Sequence, residues 1–344
     1  MSRYRRATLG DDFGYVPGEQ PPDDGGWVKL NTNEGPFPPS PRVAAAVAAA
    51  APLLCRYPSV HAEPLRSAIA DLHSVRPEQV YVDNGGSQVI DSCFRAFCEP
   101  GDRAVWPWPT FSLFPVLARI FGVTEVALPL EEDWSLPSAI GTEPGVLRFV
   151  VNPNAPTGVW LAPEPLEELL LPADGVVVID EAYCDFAPAS SIPLLERHDN
   201  WLVLRTLSKS HALAGLRIGY AVGSDDLIAD LEAVKDSYPV DRCAIAGARA
   251  ALADTEHHRR IVEVVVSERT RLGARLRKAG WEVVPSQANF LFVRPPDGDA
   301  AGVQERLREQ RILVRRFDAA HPDRLRITIG APEDNDRLLA ALGA

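Results

Sequence analysis

The sequence predicts an α/β protein with a largely parallel β-sheet that is covered by helices on both faces. Short apolar segments rich in β-branched residues alternate with segments whose apolar residues recur at helical spacing. The alternation runs from about residue 43 to about residue 225. One strand segment, GVVVID, is apolar up to its last residue, which is typical of a strand buried on both faces.

The elements follow one another in a regular order. The segments with strand character are, in chain order, QVYVD, RAVW, VTEVAL, VLRFVV, GVVVID, WLVLRT and LRIGYAV. The helical segments around and between them are AAAVAAAAPLL, HAEPLRSAIADLHS, SQVIDSCFRAFC, FSLFPVLARIFG and PLEELLL. Beyond them, a helix over 255–279 ends at Gly280, and the strands WEVVPS, ANFLFV, RILVRR and RLRITIG are interleaved with helices over 299–310 and 332–342. This second pattern indicates a smaller α+β lobe.

Three segments follow from these patterns. Residues 1–42 form an N-terminal arm rich in Pro, Gly, Asn and Asp, in which VKLNTN is a short strand. The arm has too little apolar content to fold alone, so we expect it to join the smaller lobe. Residues 43–235 make up the large domain, and residues 236–344 make up the small domain.

Composition excludes several classes of function. The 344 residues include 35 basic and 47 acidic side chains, which gives a formal net charge of −12 and argues against a nucleic-acid surface. No apolar run approaches a membrane span and the N-terminus lacks an apolar signal core, so we expect a cytoplasmic protein without a membrane partner. The five cysteines are scattered and His257 and His258 are adjacent on a helix, so no metal site is expected.

Polar motifs stand where predicted strands end, and ligands of open parallel sheets bind at that edge. In VDNGGSQVI, Gly86 and Ser87 open a helix whose free N–H groups suit an anion, although a structural turn is equally consistent with this motif. Asp180 ends GVVVID, where a buried carboxylate needs a cation such as a protonated ring nitrogen; a loop or capping carboxylate is the alternative. The segment VNPNAPTGV is a rigid turn after a strand.

The most informative residue is Lys209, which follows the strand WLVLRT. A buried ammonium near a second cation has a lowered pKa, and the free amine can condense with an aldehyde. A lone lysine after a strand is more often a surface residue. Thr206, Ser208 and Arg217 beside it suit a phosphate. Phosphate, ring nitrogen and aldehyde together predict pyridoxal 5'-phosphate, with Phe111 stacking on its ring unless that ring belongs to the core.

The strings RYP, NGGS, NPNAPTG, DEAY, RTLSKSHALAGLRIGY and RLRITIG resemble, in order and spacing, those of the fold-type I aminotransferases. Within that group, the chain is most similar to the histidinol-phosphate aminotransferase family, from about residue 15 to residue 330. The resemblance implies a large domain with a mostly parallel seven-stranded sheet, a smaller α+β domain, and a homodimer with a shared active site.

The resemblance also implies roles for residues. Lys209 would bind the cofactor aldehyde and move the substrate proton, Asp180 would pair with the ring nitrogen, and Tyr183 would hydrogen-bond the phenolic oxygen. Tyr57 would reach the cofactor phosphate of the neighbouring subunit. Further expected cofactor contacts are Gly86, Ser87, Phe111, Asn154, Thr206, Ser208 and Arg217.

For the substrate, the resemblance implies that Arg326 clamps an α-carboxylate, and that Arg315 and Tyr15 meet the phosphate of histidinol phosphate. Arg324 lies on the same strand face as Arg326 by period two, and Arg316 is adjacent to Arg315, so pattern alone does not choose within either pair.

One position departs from the family: Ala155 stands where an Asn normally donates to the cofactor's phenolic oxygen. Unless Asn152 or Asn154 substitutes, Tyr183 alone supports that oxygen, and we expect the pKa of the lysine–cofactor imine to be higher than with the Asn.

The resemblance predicts transfer of an amino group between L-histidinol phosphate and 2-oxoglutarate, in histidine biosynthesis. Two alternatives keep the same cofactor site: an aromatic amino-acid aminotransferase, and a threonine-phosphate decarboxylase. A transcription regulator with an aminotransferase-like domain would need an added DNA-binding domain and a less acidic chain. A nicotinamide dehydrogenase would need a G-x-G-x-x-G after the first strand, which the sequence lacks.

Overall fold

The computed structural model describes residues 4–6, 9–10, 13–22, 25–317 and 321–344. Its helices are α1 (Pro41–Ala50), α2 (Glu63–His73), α3 (Gly86–Phe97), α4 (Leu113–Phe121), α5 (Pro163–Leu170), α6 (Asp225–Val234), α7 (Arg242–Leu252), α8 (Thr255–Lys278), α9 (Ala300–Glu309) and α10 (Pro332–Leu342). Its strands are β1 (Val28–Lys29), β2 (Val80–Asn84), β3 (Arg103–Trp108), β4 (Thr124–Pro129), β5 (Leu147–Val151), β6 (Val176–Asp180), β7 (Trp201–Thr206), β8 (Ile218–Gly223), β9 (Glu282–Val283), β10 (Phe290–Arg294), β11 (Ile312–Leu313), β12 (Arg315–Phe317) and β13 (His321–Thr328).

The predicted α/β fold with a mostly parallel sheet is confirmed. Seven strands form one sheet in the order β2-β8-β7-β6-β5-β3-β4. Strand β8 runs antiparallel to both of its neighbours, and the other pairs of the sheet are parallel. Six carboxyl ends therefore lie at one edge, and β8 begins at that same edge.

The central strands are apolar because both faces of the sheet are covered. Val177 and Ile179 of β6 pack into one core cluster, whereas Val178 between them packs into another on the opposite face. Leu202 and Val203 of β7 divide in the same way. This period of two explains why these segments read as unbroken apolar runs.

The second lobe has its own sheet and core. Strands β12-β13-β10-β9 form an antiparallel sheet, and β1 of the N-terminal arm pairs in parallel with β11. Val28 and Leu30 of the arm pack into the core cluster of this lobe. The strand predicted over VKLNTN is shorter in the structure, since β1 covers Val28–Lys29 only.

Helix α7 lies with the large sheet and not with the second lobe. Its residues Ala244, Ile245, Ala248 and Ala251 belong to a core cluster of the seven-stranded sheet, against α1 and α2. The boundary expected at residue 235 precedes this helix, although the helix packs on the large sheet. The sequence could not show this, because an Ala-rich helix carries no mark of which core it will join.

Across the described residues, no helix combines the length and the apolar content that crossing a membrane requires.

Candidate active site

A cavity of about 340 Å³ opens at the carboxyl edge of the seven-stranded sheet, between the sheet, the arm and the second lobe. Parallel strands place the residues that follow them side by side at this edge, which is how distant segments meet. Most of the residues predicted for a site line the cavity: Tyr15, Gly86, Ser87, Phe111, Asp180, Tyr183, Thr206, Ser208, Lys209, Arg217, Arg315 and Arg326.

Lys209 carries the amine of the cavity. Its Nζ donates to the carbonyl oxygen of Thr32 at 3.3 Å and lies 5.8 Å from the centre of the Tyr183 ring. Burial lowers the pKa of Lys209 to about 8, with help from the positive charge of Arg326. About a tenth of this amine is therefore unprotonated at pH 7, and that fraction can act as a nucleophile and base.

Asp180 carries the carboxylate at the end of β6. It is 4% exposed, and its Oδ1 accepts the N–H of Ala182 at 3.0 Å. Burial raises the pKa of Asp180 to about 6. Among the described residues, no ion-pair partner within 4.0 Å is found for it. The site thus holds a desolvated carboxylate that a cationic ligand would stabilise.

Tyr183 is buried beside Lys209, and its ring meets the ring of Phe290 edge-on at 5.0 Å. Its hydroxyl accepts a hydrogen bond from Asn33 Nδ2 at 3.0 Å. Burial raises the pKa of Tyr183, so the hydroxyl keeps its proton at neutral pH. The protonated hydroxyl can donate into the cavity.

An anion site lies at the N-terminus of α3. Gly85 precedes this helix with φ +81°, and a Cβ placed on it would lie 2.5 Å from an Arg217 guanidinium nitrogen. Only glycine permits both that backbone conformation and that close approach. Arg217 comes directly before the antiparallel strand β8, so it reaches the same edge as the helix start. A cation beside free helix N–H groups suits a phosphate.

Two hydroxyl groups at the carboxyl end of β7, on Thr206 and Ser208, lie near this anion site. Thr206 Oγ1 donates to the carbonyl oxygen of Ile218 at 2.8 Å and lies 2.9 Å from Ser208 Oγ. The Ser208 N–H also donates to Thr206 Oγ1. These bonds hold both hydroxyls in the loop that carries Lys209.

Two arginines enter the cavity from the second lobe. Arg326 on β13 donates to the carbonyl oxygen of Asn31 at 3.1 Å, and its Nε is buried without a hydrogen-bond partner among the described residues. Arg315 stands opposite Arg326 in the strand register and donates to the carbonyl oxygens of residues 16 and 17. Tyr15, 46% exposed, meets the ring of Phe111 edge-on at 6.1 Å. This end of the cavity therefore suits a second anionic group.

The structure separates the arginines that pattern left undecided. Arg324 pairs with Glu282 and lies over the ring of Trp134, away from the cavity. Arg316 donates to Gln304 and does not line the cavity.

Two predicted residues do not line the cavity. The amide of Asn154 is occupied by its own loop and by the segment after β3, since its Nδ2 donates to Pro109 O and Thr157 Oγ1, and its Oδ1 accepts from Thr110. Asn152 is likewise bound, through both amide atoms, to the backbone of Leu161. In this structure both amides are therefore occupied by other partners, and neither faces the cavity at Ala155. Tyr57 lies outside the cavity of its own chain, 77% exposed.

A second polar cluster, outside the cavity, packs against the loop that carries Lys209. Asp185 accepts hydrogen bonds from Arg205 and Ser210, and its Oδ2 lies 3.4 Å from His258 Nε2. His211 stacks on His258 at 4.1 Å, and burial lowers the pKa of His211 to about 3. Asp185, His211 and His258 have metal-ligand chemistry, but the cation of Arg205 already neutralises the carboxylate. The cluster is an internal ion pair that fixes Ser210 next to Lys209.

Sequence reasoning missed the contribution of the arm. Asn31, Thr32, Asn33 and Glu34 all line the cavity. The signal was present in the run LNTNEG, where four polar residues follow Leu30 and precede a glycine. The strand predicted over VKLNTN covered three of these polar residues and hid the signal.

Comparisons with known proteins agree with this geometry. A family model described as aminotransferase class I and II matches residues 25–342. The chain is 45% identical to histidinol-phosphate aminotransferase 1 of Bordetella parapertussis, with 99% of this chain and 98% of that protein covered. It is 43% identical to histidinol-phosphate aminotransferase 1 of Pseudomonas aeruginosa, with 99% of each covered.

Among solved structures, the chain is similar to the histidinol-phosphate aminotransferase of Sinorhizobium meliloti in complex with pyridoxal-5'-phosphate. The TM-score is 0.85 at 27% identity, with 92% of this chain and 89% of that chain covered. The fold is also shared with L-threonine-O-3-phosphate decarboxylase from Porphyromonas gingivalis, at a TM-score of 0.79 and 24% identity.

Proposed function

The chain belongs to the class I and II aminotransferases, and from that premise we propose that it transfers an amino group between L-histidinol phosphate and 2-oxoglutarate. It is a pyridoxal-phosphate-dependent transaminase. The observation that supports the proposed substrate pair best is the presence of two arginines of the second lobe, Arg326 and Arg315, side by side in the wall of the cavity.

The residues present fit pyridoxal phosphate. Asp180 is a buried carboxylate that a cation would stabilise. The Gly85 backbone and Arg217 form an anion-binding cradle, and a Cβ on residue 85 would fill the space between them. When bound, pyridoxal phosphate supplies an aldehyde that condenses with amines and a protonated ring that accepts electrons from the substrate carbon. Gly86, Ser87, Thr206, Ser208 and Arg217 would hold its phosphate.

The chain's own residues then have distinct tasks. Lys209 Nζ would hold the cofactor through a covalent bond and, when free, would serve as the base that moves the substrate proton. Asp180 would hold the ring-nitrogen proton in place. The Tyr183 hydroxyl would donate to the phenolic oxygen. Phe111 lies at the cavity wall, where its ring can cover the cofactor ring.

Substrate recognition requires two different anions in turn. Glutamate presents an α-carboxylate, for which the planar guanidinium of Arg326 offers a bidentate partner, whereas histidinol phosphate presents a phosphate and no carboxylate. Arg315 and Tyr15 lie at the same end of the cavity and can donate to that phosphate.

We also propose a homodimer in which each subunit completes the site of the other. The support is the position of Tyr57, which is exposed, turned away from its own cavity, and stacked on Tyr238 at 4.5 Å. Leu53 and Leu54, 49% and 58% exposed, lie in the same segment and make an apolar surface for a second copy. The cytoplasmic location stays a prediction.

A half-reaction screen tests the substrate. The yellow enzyme is mixed separately with histidinol phosphate, phenylalanine, tyrosine and phosphothreonine, and the loss of its visible absorbance is followed. We expect histidinol phosphate to react with a kcat/KM at least ~100-fold above those of the aromatic donors, because it presents to Arg315 and Tyr15 a phosphate that the aromatic donors lack. Preference for phenylalanine would overturn the proposed substrate. Release of carbon dioxide from phosphothreonine would favour the decarboxylase alternative.

The lowered pKa of Lys209 predicts how cofactor-free enzyme takes up pyridoxal phosphate. The free amine attacks the aldehyde, and its fraction rises with pH until the pKa of Lys209, about 8, is passed. We expect the rate of uptake to rise ~tenfold per pH unit below that value and to level off above it. Stopped-flow absorbance measures the rate, and pyridoxal without its phosphate is the control for titration of the phosphate itself. A midpoint near 10.5, the ordinary lysine value, would contradict the prediction.

A further inference from the structure

The hydroxyl of Tyr183 is held by a hydrogen-bond network that begins in the N-terminal arm. Asn33 Nδ2 donates to Tyr183 Oη at 3.0 Å, although the two residues are 150 positions apart. Asn33 is 1% exposed and has φ +56°. Asn289 Nδ2 donates to the Asn33 carbonyl oxygen at 3.1 Å, which holds this backbone in place.

Thr328 sets the orientation of the Asn33 amide. Its Oγ1 accepts the backbone N–H of Asn33 at 3.0 Å and lies 3.1 Å from Asn33 Oδ1, to which it donates. With Oδ1 turned to Thr328, Nδ2 must face Tyr183. The opposite orientation would leave the Thr328 hydroxyl proton without an acceptor among the described residues, which is costly in a buried site.

This orientation decides the direction of the Tyr183 hydroxyl proton. A phenol has one proton to donate, and its oxygen here already accepts from Asn33. The proton is therefore directed away from Asn33, and the cavity that Tyr183 lines is where it can find an acceptor. Accepting one hydrogen bond also polarises the O–H group and strengthens the bond that it donates.

The network matters in this chain because of Ala155. Ala155 lines the same cavity, is 6% exposed, and has no side-chain donor. Asn152 and Asn154 are both committed to backbone and loop partners, as described above. Ala155, Asn152 and Asn154 thus offer no side-chain donor to an acceptor on the cofactor ring, whereas Tyr183 does.

We propose that Asn33 is a positioning residue that, oriented by Thr328, fixes the Tyr183 hydroxyl as a donor to the phenolic oxygen of pyridoxal phosphate. Through this bond it compensates for the donor that Ala155 lacks. The inference rests on the role proposed for Tyr183, and it is independent of which amino donor the enzyme uses.

The test measures the bound cofactor and needs no substrate. The visible absorbance of the yellow enzyme is titrated with pH to obtain the pKa of its chromophore. A donor to the phenolic oxygen stabilises the anionic oxygen and keeps this pKa low. We expect Asn33→Gly to raise the pKa by about one unit, the size of one charge-assisted hydrogen bond. Glycine is chosen because it tolerates the positive φ of this position.

A double-mutant cycle separates positioning from a general structural effect. In a Tyr183→Phe background, Asn33→Gly should leave the chromophore pKa unchanged within about 0.3 unit, because the intermediary is gone. The proposal would be overturned if Asn33→Gly shifted the chromophore pKa equally in the wild-type and Tyr183→Phe backgrounds. It would also be overturned if Asn33→Gly caused no shift in the wild-type background. Ala155→Asn should lower the pKa and reduce the effect of Asn33→Gly.

Thr328 supplies a matched pair should Asn33→Gly fold poorly. Thr328→Ser keeps the hydroxyl and should titrate as the wild type, whereas Thr328→Val loses it and should raise the pKa in the direction of Asn33→Gly. Equal pKa values for the two variants would overturn the role given to Thr328. Because these readings need only the yellow enzyme, failure of histidinol phosphate in the donor screen would leave this result interpretable.

Discussion

Lys209→Arg is expected to lower the turnover number by a factor on the order of 10⁴ or more, the largest effect of any single substitution in this chain. A guanidinium keeps the positive charge and much of the volume, but it has no free lone pair at neutral pH. It can neither bind the cofactor aldehyde nor carry the substrate proton. The pKa of about 8 that burial gives to Lys209 is what makes the native amine suitable for both tasks.

The measurement combines kinetics with chemical trapping. Borohydride should fix the cofactor to the wild-type peptide that contains Lys209, as seen by mass spectrometry, and should fix none to that peptide in the variant. Lys278→Arg is the matched control, because Lys278 is an exposed residue at the end of α8 and should trap and turn over normally. A Lys209→Arg enzyme with normal turnover would remove the basis of the whole assignment.

Asp180→Asn is expected to have the second largest effect, a fall in kcat of ~10³-fold. The amide has the shape of the carboxylate but no charge, so it cannot hold the ring-nitrogen proton of the cofactor. Single-turnover kinetics with the amino donor measure the loss. Activity within about tenfold of the wild type would contradict the role given to Asp180.

The same substitution should stabilise the cofactor-free protein. Burial raises the pKa of Asp180 from 3.8 to about 6. Ionising this carboxyl group is therefore less favourable in the folded state than in the unfolded state. A shift of this size corresponds to a cost on the order of 3 kcal/mol at neutral pH. The cost develops as the pH rises from about 4 through about 6 and is absent at lower pH.

Denaturant unfolding of the cofactor-free proteins at two pH values checks this cost. At pH 7.5 Asp180→Asn should be more stable than the wild type, and near pH 4 the difference should largely vanish. If the cofactor-free wild type is less stable than cofactor-free Asp180→Asn, the Asp180 carboxylate serves cofactor binding at a cost in folding stability.

Much of the candidate site could be predicted because its residues lie at or just after the ends of strands. Asp180 ends an apolar strand, Lys209 follows another by three residues, and Gly86 and Ser87 open the helix after a third. Once the strands are parallel, their carboxyl ends must meet at one edge, so the motifs converge without any knowledge of tertiary contacts.

Other features depend on packing that no local pattern encodes. Period two puts Arg324 and Arg326 on one face of β13, but the neighbours of that strand send Arg324 to Glu282 and Arg326 to the cavity. Asn154 is in the expected turn, yet the surrounding loops consume its amide.

By itself, the sequence determined the α/β architecture, which follows from periodicity. It also predicted the cofactor, from the amine, the carboxylate and the phosphate-binding residues expected next to strand ends. Only the tertiary structure decided that α7 packs on the large sheet, which arginine enters the site, and that Asn33 reaches Tyr183. Those outcomes are contacts between segments far apart in the chain, selected by the complementarity of whole surfaces and by the need of every buried polar group for a partner.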